Sequence, residues 1–162
     1  MTQDLHAKAL ELLAREALYL DMQRWDDWLA LYEPDAVFWM PAWKDEGTHS
    51  TDPDSEMSLF YFASRAELED RVWRLKEQKS AASRPLLRTV HTTSNVLAEP
   101  SPDGGVDIFA SWTCHAFNPK RNTVSVFFGR SEYAVNAGWR IVRRKSILMN
   151  DYIPTLMDFY CC

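Results

Sequence analysis

Four histidines, three cysteines and a large set of carboxylates are the side chains here that could bind a metal, attack a substrate or move a proton. The histidines are His6, His49, His91 and His115. None has a histidine partner at i, i+4 or a Cys-x-x-Cys neighbour, so neither zinc nor an iron–sulfur cluster finds its ligand spacing. A two-histidine, one-carboxylate iron site is equally unsupported. Gly104-Gly105 reads as a turn between strands rather than a phosphate loop, and Gly129-Arg130-Ser131 lacks the flanks of a nucleophile elbow. Two candidates for general acid–base work remain, Asp35 ahead of one apolar strand and His91 within another. Their plainer reading is a turn residue and a hydrogen-bonded strand residue. Cys114, among apolar neighbours, reads as an inert core thiol, because burial raises a thiol pKa.

The elements that must position these residues change period along the chain. Leu10, Leu13, Ala14, Ala17 and Leu18 form the stripe of an amphipathic helix, with Asp4 placed to cap its start. A shorter helix is expected over Trp25 to Tyr32, then a strand from Ala36 to Met40 and an exposed polar loop from Lys44 to Glu56. Ser64-x-x-Glu67 has capping-box spacing before a helix carrying Leu68, Val72 and Leu75, with Glu67–Arg71 and Asp70–Arg74 as i,i+4 pairs. Strands then follow over Thr89 to Ala98, Val106 to Ala116, Val124 to Val135 and Trp139 to Met149. Gly129 suggests a bulge or sharp bend in the third of these. Helices first and long antiparallel strands later predict an α+β fold, a strongly curved, mainly antiparallel sheet packed on the N-terminal helices. That is the NTF2-like (cystatin-like) cone, filling residues 1–162 as one domain.

Eighteen basic against 23 acidic residues give a net charge of −5, which argues against nucleic acid or an anionic membrane as a partner. No apolar run approaches membrane-spanning length, no secretory signal is visible at the start, and three cysteines make no disulfide framework. A cytoplasmic location is expected. Phe38 and Trp39 must face opposite sides of their strand, and large aromatics on both sides suggest a second buried surface. Phe38, Trp39, Trp43, Tyr152, Phe159 and Tyr160 are the candidate interface residues.

Several segments carry a resemblance in colinear order. They are Arg15-Glu16-Ala17, Trp25-Asp26-Asp27-Trp28-Leu29, Phe38-Trp39-Met40-Pro41-Ala42-Trp43, Ser58-Leu59-Phe60-Tyr61-Phe62, Arg88-Thr89-Val90-His91 and Asn150-Asp151-Tyr152-Ile153-Pro154. Together they resemble the small (β) subunit of aromatic-ring-hydroxylating dioxygenases, in the benzoate and anthranilate branch. The loop Lys44-Asp45-Glu46-Gly47-Thr48 is less acidic than in that branch. The resemblance implies a structural, non-catalytic chain with no cofactor of its own. It implies a large (α) subunit carrying a Rieske [2Fe-2S] cluster and a mononuclear Fe(II), three large plus three small chains, and a reductase supplying electrons from NADH. The rival expectation is a free-standing dehydratase or isomerase of the same fold, using Asp35 and His91.

Overall fold

The computed structural model describes residues 2–77, 85–150, 153 and 157–162. Among the described residues three helices, α1 (Thr2–Asp21), α2 (Trp25–Leu29) and α3 (Arg65–Lys76), accompany six strands. These are β1 (Tyr32–Pro41), β2 (Ser58–Phe62), β3 (Arg88–Pro100), β4 (Val106–Asn118), β5 (Thr123–Val135) and β6 (Ile141–Leu148), and a 3-10 turn, Phe159–Cys161, closes the chain. The strands form one curved sheet in the order β2-β1-β6-β5-β4-β3. Among the described residues only β1 and β6 pair in parallel. The α+β expectation therefore holds.

On β4 the expected inward face is realised: Val106, Ile108, Ala110, Trp112, Cys114 and Ala116 are all buried. The helix stripe is rotated from the one expected. Ala9, Leu12, Leu13, Glu16 and Leu20 are buried, while Leu10 and Leu18 are half exposed. The reason is Glu16, a charged residue on the core face whose partner lies far along the chain. Asp4 falls in the first turn of α1 rather than at its cap and pairs with Lys8 (3.2 Å).

Other boundaries moved for local reasons. The helix after Arg24 stops at Leu29 because Tyr32 already belongs to β1, and Pro34 sits where the pairing of β1 with β6 is irregular. β2 was not anticipated as a strand; it pairs antiparallel with the end of β1. Ser64 makes no side-chain cap bond, but Glu67 accepts the Ala63 N–H (2.8 Å), so half of the box forms one residue early. Asp70 and Arg74 pair as expected (2.7 Å), whereas Arg71 turns to Asp158 (2.6 Å) instead of Glu67. Gly129 marks no bulge: pairing with β4 runs unbroken through it, and the ladder with β6 begins at it, opposite Leu148. A Cβ there would lie 2.0 Å from the Ile147 carbonyl oxygen and 3.0 Å from the Trp112 ring, so close approach is what requires glycine.

Candidate functional site

The middle of the concave face is filled by a buried polar network. Glu16 Oε1 accepts hydrogen bonds from the Tyr32 hydroxyl (2.8 Å), Trp28 Nε1 (3.2 Å) and the Arg144 guanidinium, and Oε2 accepts one from Tyr133 (3.3 Å). Arg144 also donates to Ser146 Oγ (3.2 Å), which shares a hydrogen bond with Ser131 (2.6 Å). Its guanidinium lies 4.5 Å from the Phe38 ring centre and 5.4 Å from that of Tyr133. Burial opposes the charge on Arg144, yet Glu16 and the two phenols push its pKa up, so the guanidinium stays charged. Burial pushes the Tyr32 and Tyr133 phenols up as well, leaving them protonated donors at neutral pH. Strands β1, β5 and β6 and helix α1 thus converge on one carboxylate whose oxygens are both taken. Such an arrangement holds a helix to a sheet; it offers no free acid or base.

Asp35 and His91 are not brought together. Asp35 is exposed on β1, and β6, β5 and β4 lie between that strand and β3. The acid–base pair expected from sequence is corrected by this separation. The carboxylate that His91 meets is Asp21, the last residue of α1. Asp21 accepts from His91 Nδ1 (2.6 Å), the His91 backbone N–H (2.9 Å) and Thr89 Oγ1 (2.9 Å). An acid is disfavoured at a helix C-terminus, and three donors from β3 offset that cost. Burial would raise the Asp21 pKa, but the His91 and Thr89 hydrogen bonds outweigh it and hold it below the usual range. The imidazole is buried, and its Nε2 has no protein partner. A groove of about 420 Å³ between α1 and β3 runs alongside, lined mostly by apolar side chains such as Leu13, Ala17 and Val96. Nothing in the sequence pattern joins position 21 to position 91; only the packing of α1 on β3 does.

Cys114, Cys161 and Cys162 are buried free thiols. Burial raises all three pKa values, that of Cys161 to about 12, so they are neutral at physiological pH. Among the described residues no three of His, Cys, Asp and Glu converge into a donor set for a metal ion. Neutral, buried sulfurs and separated imidazoles do not fit an iron centre or an iron–sulfur cluster.

The candidate interface residues divide. Phe38 is fully buried against Tyr32, Phe60 and Phe62, and Phe159 stacks on Trp28 at 5.0 Å. Tyr160 packs edge-on against Trp25 at 5.9 Å. These three rings are spent on the chain's own core, which corrects the expectation that they face another chain. The end of the chain folds back because Asp158 caps the 3-10 turn and takes the Arg71 guanidinium through both oxygens (3.2 and 2.6 Å). Tyr152 lies outside the described residues. Trp39 stands on the outer face, donating to Ser58 Oγ (2.8 Å) with Lys145 5.2 Å over its ring. Trp43 is half-buried and donates to the Leu148 carbonyl (2.6 Å).

Sequence reading missed the most exposed apolar surface, the outer side of the strands. One cross-strand row there runs Tyr61, Trp39, Lys145, Glu132, Phe109 and Leu97 across all six strands, with Tyr61, Phe109 and Leu97 exposed and Trp39 covered. Val90, Val124, Val126 and Phe128 stand beside it in further rows, exposed. The signal was present in β5, where Val124, Val126 and Phe128 alternate with buried residues such as Phe127.

The sequence profile described as ring hydroxylating beta subunit matches residues 15–155. The chain is 40% identical over 153 residues to the toluate 1,2-dioxygenase subunit beta of Pseudomonas putida, covering 93% of each protein. The crystal structure of the benzoate 1,2-dioxygenase β subunit from Burkholderia mallei superposes with a TM-score of 0.77 at 37% identity, covering 94% of both chains. An NTF2-like protein from Exiguobacterium matches at 14% identity with a TM-score of 0.55, over 87% of this chain and 99% of its own, a likeness of fold.

Proposed function

This chain belongs to the ring-hydroxylating β-subunit family, and from that premise we propose that it is the structural small chain of a terminal oxygenase for an aromatic carboxylate. The NTF2-like cone, a scaffold that elsewhere can hold a substrate, is here committed to internal packing. The observation that carries the reading is the contrast between the two faces of the sheet. Inside, Glu16 and Arg144 saturate each other and their neighbours; outside, apolar side chains stand uncovered. A chain built this way contributes shape and adhesive surface.

In this reading the large chain holds the Rieske cluster, the mononuclear iron and the substrate pocket. Three large and three small chains assemble, and a reductase draws electrons from NADH. The reaction joins both atoms of O2 to the ring, consuming NADH and one proton and giving a cis-diol carboxylate and NAD+. The names of the relatives, toluate and benzoate dioxygenases, support a substrate carrying a ring carboxylate. Residues 1–162 act as one domain, in the cytoplasm. Trp39, on the outer face beneath Lys145, and the half-buried Trp43 are proposed as interface residues, because neither ring belongs to the aromatic cluster around Phe38.

The test is co-expression with the large oxygenase chain of the same source, supplied with reductase, NADH and benzoate. The complex should release the cis-diol carboxylate. Substitution His91→Ala should leave turnover per complex within about twofold, since His91 fastens α1 rather than moving a substrate proton. Catalysis by the isolated small chain, abolished by His91→Ala while its fold survives, would overturn the proposal in favour of a stand-alone acid–base enzyme.

A further inference from the structure

Helix α1 carries more apolar surface than its core face uses. Ala9, Leu12, Leu13 and Leu20 are buried, yet Leu10, Ala14, Ala17 and Leu18 continue as a second stripe at i, i+4, i+7 and i+8. Together with Leu13, that stripe forms one wall of the groove of about 420 Å³ between α1 and β3. Thr93 and Val96 supply the facing wall. Leu10 and Leu18 are 45% and 50% exposed, so the apolar wall is open to solvent.

Asp21 and His91 line the same groove and give it chemistry. The His91 side chain is only 4% exposed. Its Nδ1 donates to Asp21 Oδ1 (2.6 Å) and its backbone N–H to Oδ2 (2.9 Å), so ring position and tautomer are fixed together. In the neutral ring Nε2 is then a lone-pair acceptor, and it is buried without a protein partner. A buried acceptor left unmet costs folding free energy, which a ligand's donor would recover. The other such atom among the described residues, Trp112 Nε1, belongs to a ring packed on Gly129.

These properties narrow the ligand. Apolar walls and this volume suit a single ring. The unmet atom is an acceptor, so the ligand must bring a donor, and a phenolic O–H is a stronger donor than an aliphatic one. Asp21 lines the groove and no lysine or arginine does, so an anion, a ring carboxylate included, would enter without a counter-charge. We infer that the groove between α1 and β3 is a binding site for a neutral single-ring phenol, whose hydroxyl donates to His91 Nε2 while its ring covers Leu10, Ala14 and Leu18. The site binds and does not transform: one hydrogen bond forms, and no bond of the ligand breaks. The inference goes beyond the small-subunit reading and does not depend on it.

The experiment follows the histidine ring nitrogens of the isotope-labelled chain by NMR at about pH 8, above the usual imidazole range. Phenol, anisole and benzoate are titrated in turn. Phenol should move the His91 Nε2 resonance upfield and saturably, while Nδ1, held by Asp21, keeps its proton. Anisole, the same ring without a donor, should bind at least fivefold more weakly, and so should benzoate. Ala14→Phe, at an exposed position on the groove wall, should weaken phenol at least tenfold while melting within a few degrees of the parent. If that variant fails to fold, the three ligands on the unaltered chain decide the matter alone. No saturable shift with phenol, equal binding of anisole, or tighter binding of benzoate each overturns the inference. Phenol that binds but leaves His91 unmoved, or binds a folded Ala14→Phe chain undiminished, lies elsewhere and overturns it as well. All these outcomes leave the small-subunit reading standing, because none of them measures assembly with the large chain.

Discussion

Glu16 and Arg144 lie 128 residues apart and form a buried ion pair at the centre of the concave face, with Tyr32, Trp28 and Tyr133 satisfying the remaining lone pairs of the carboxylate. The pair joins the first helix to the last strand, so its formation reports completion of the fold. Breaking it leaves one charge uncompensated in the core. Arg144→Met or Glu16→Leu should each lower stability in urea by about 3–5 kcal/mol, and the double substitution by distinctly less than the sum of the two. Additive losses would mean the two charges do not interact.

Asp21 connects folding to pH. Its folded pKa is held below the ordinary value by His91 and Thr89, despite burial. The unfolded chain therefore takes up this proton first as pH falls. Asp21's contribution is complete above the unfolded carboxylate pKa of about 3.9 and is lost as pH drops through the lower folded value. Asp21→Asn should cost about 1–3 kcal/mol at pH 7. Urea midpoints measured from pH 7 to pH 2.5 should then show a shallower acid-side loss than the parent.

Gly129 sits where β5 passes closest to β6 and Trp112. Gly129→Ala should destabilise by about 1–3 kcal/mol or more, because the methyl must displace backbone rather than a flexible side chain. Amide exchange should quicken first in β6 opposite it.

The last residues are tied down by Asp158 and Arg71. Asp158→Ala should free the 3-10 turn and raise the rate at which Cys161 and Cys162 react with an aromatic disulfide reagent by tenfold or more at pH 8. Cys114, buried on β4, should change least.

How far the sequence foretold this molecule follows from which forces are local. The alternation along β4 and the helix with Leu68, Val72 and Leu75 were legible because one period and one buried face decide them. The stripe on α1 differs from the one expected because its core face carries Glu16, whose partner Arg144 lies 128 residues away in the run Arg143-Arg144-Lys145. Asp35 is a candidate from its place before an apolar strand, with a turn residue as its plainer reading, and sheet order separates it from His91. Phe38, Phe159 and Tyr160 looked available to another chain because aromatic content does not reveal that the C-terminal turn folds back onto Trp25 and Trp28. The outer face of β5 was readable in principle, since valine and phenylalanine occupy its solvent-side positions too.

The central claim is that this chain supplies structure while the large chain holds the iron. Iron and acid-labile sulfide should be measured in the purified small chain, the purified large chain and their complex, alongside oxygen uptake with benzoate. The account predicts iron and sulfide in the large chain and the complex only, with uptake by the complex once reductase and NADH are present. Stoichiometric iron in the small chain alone, together with oxygen uptake by it, would contradict the account.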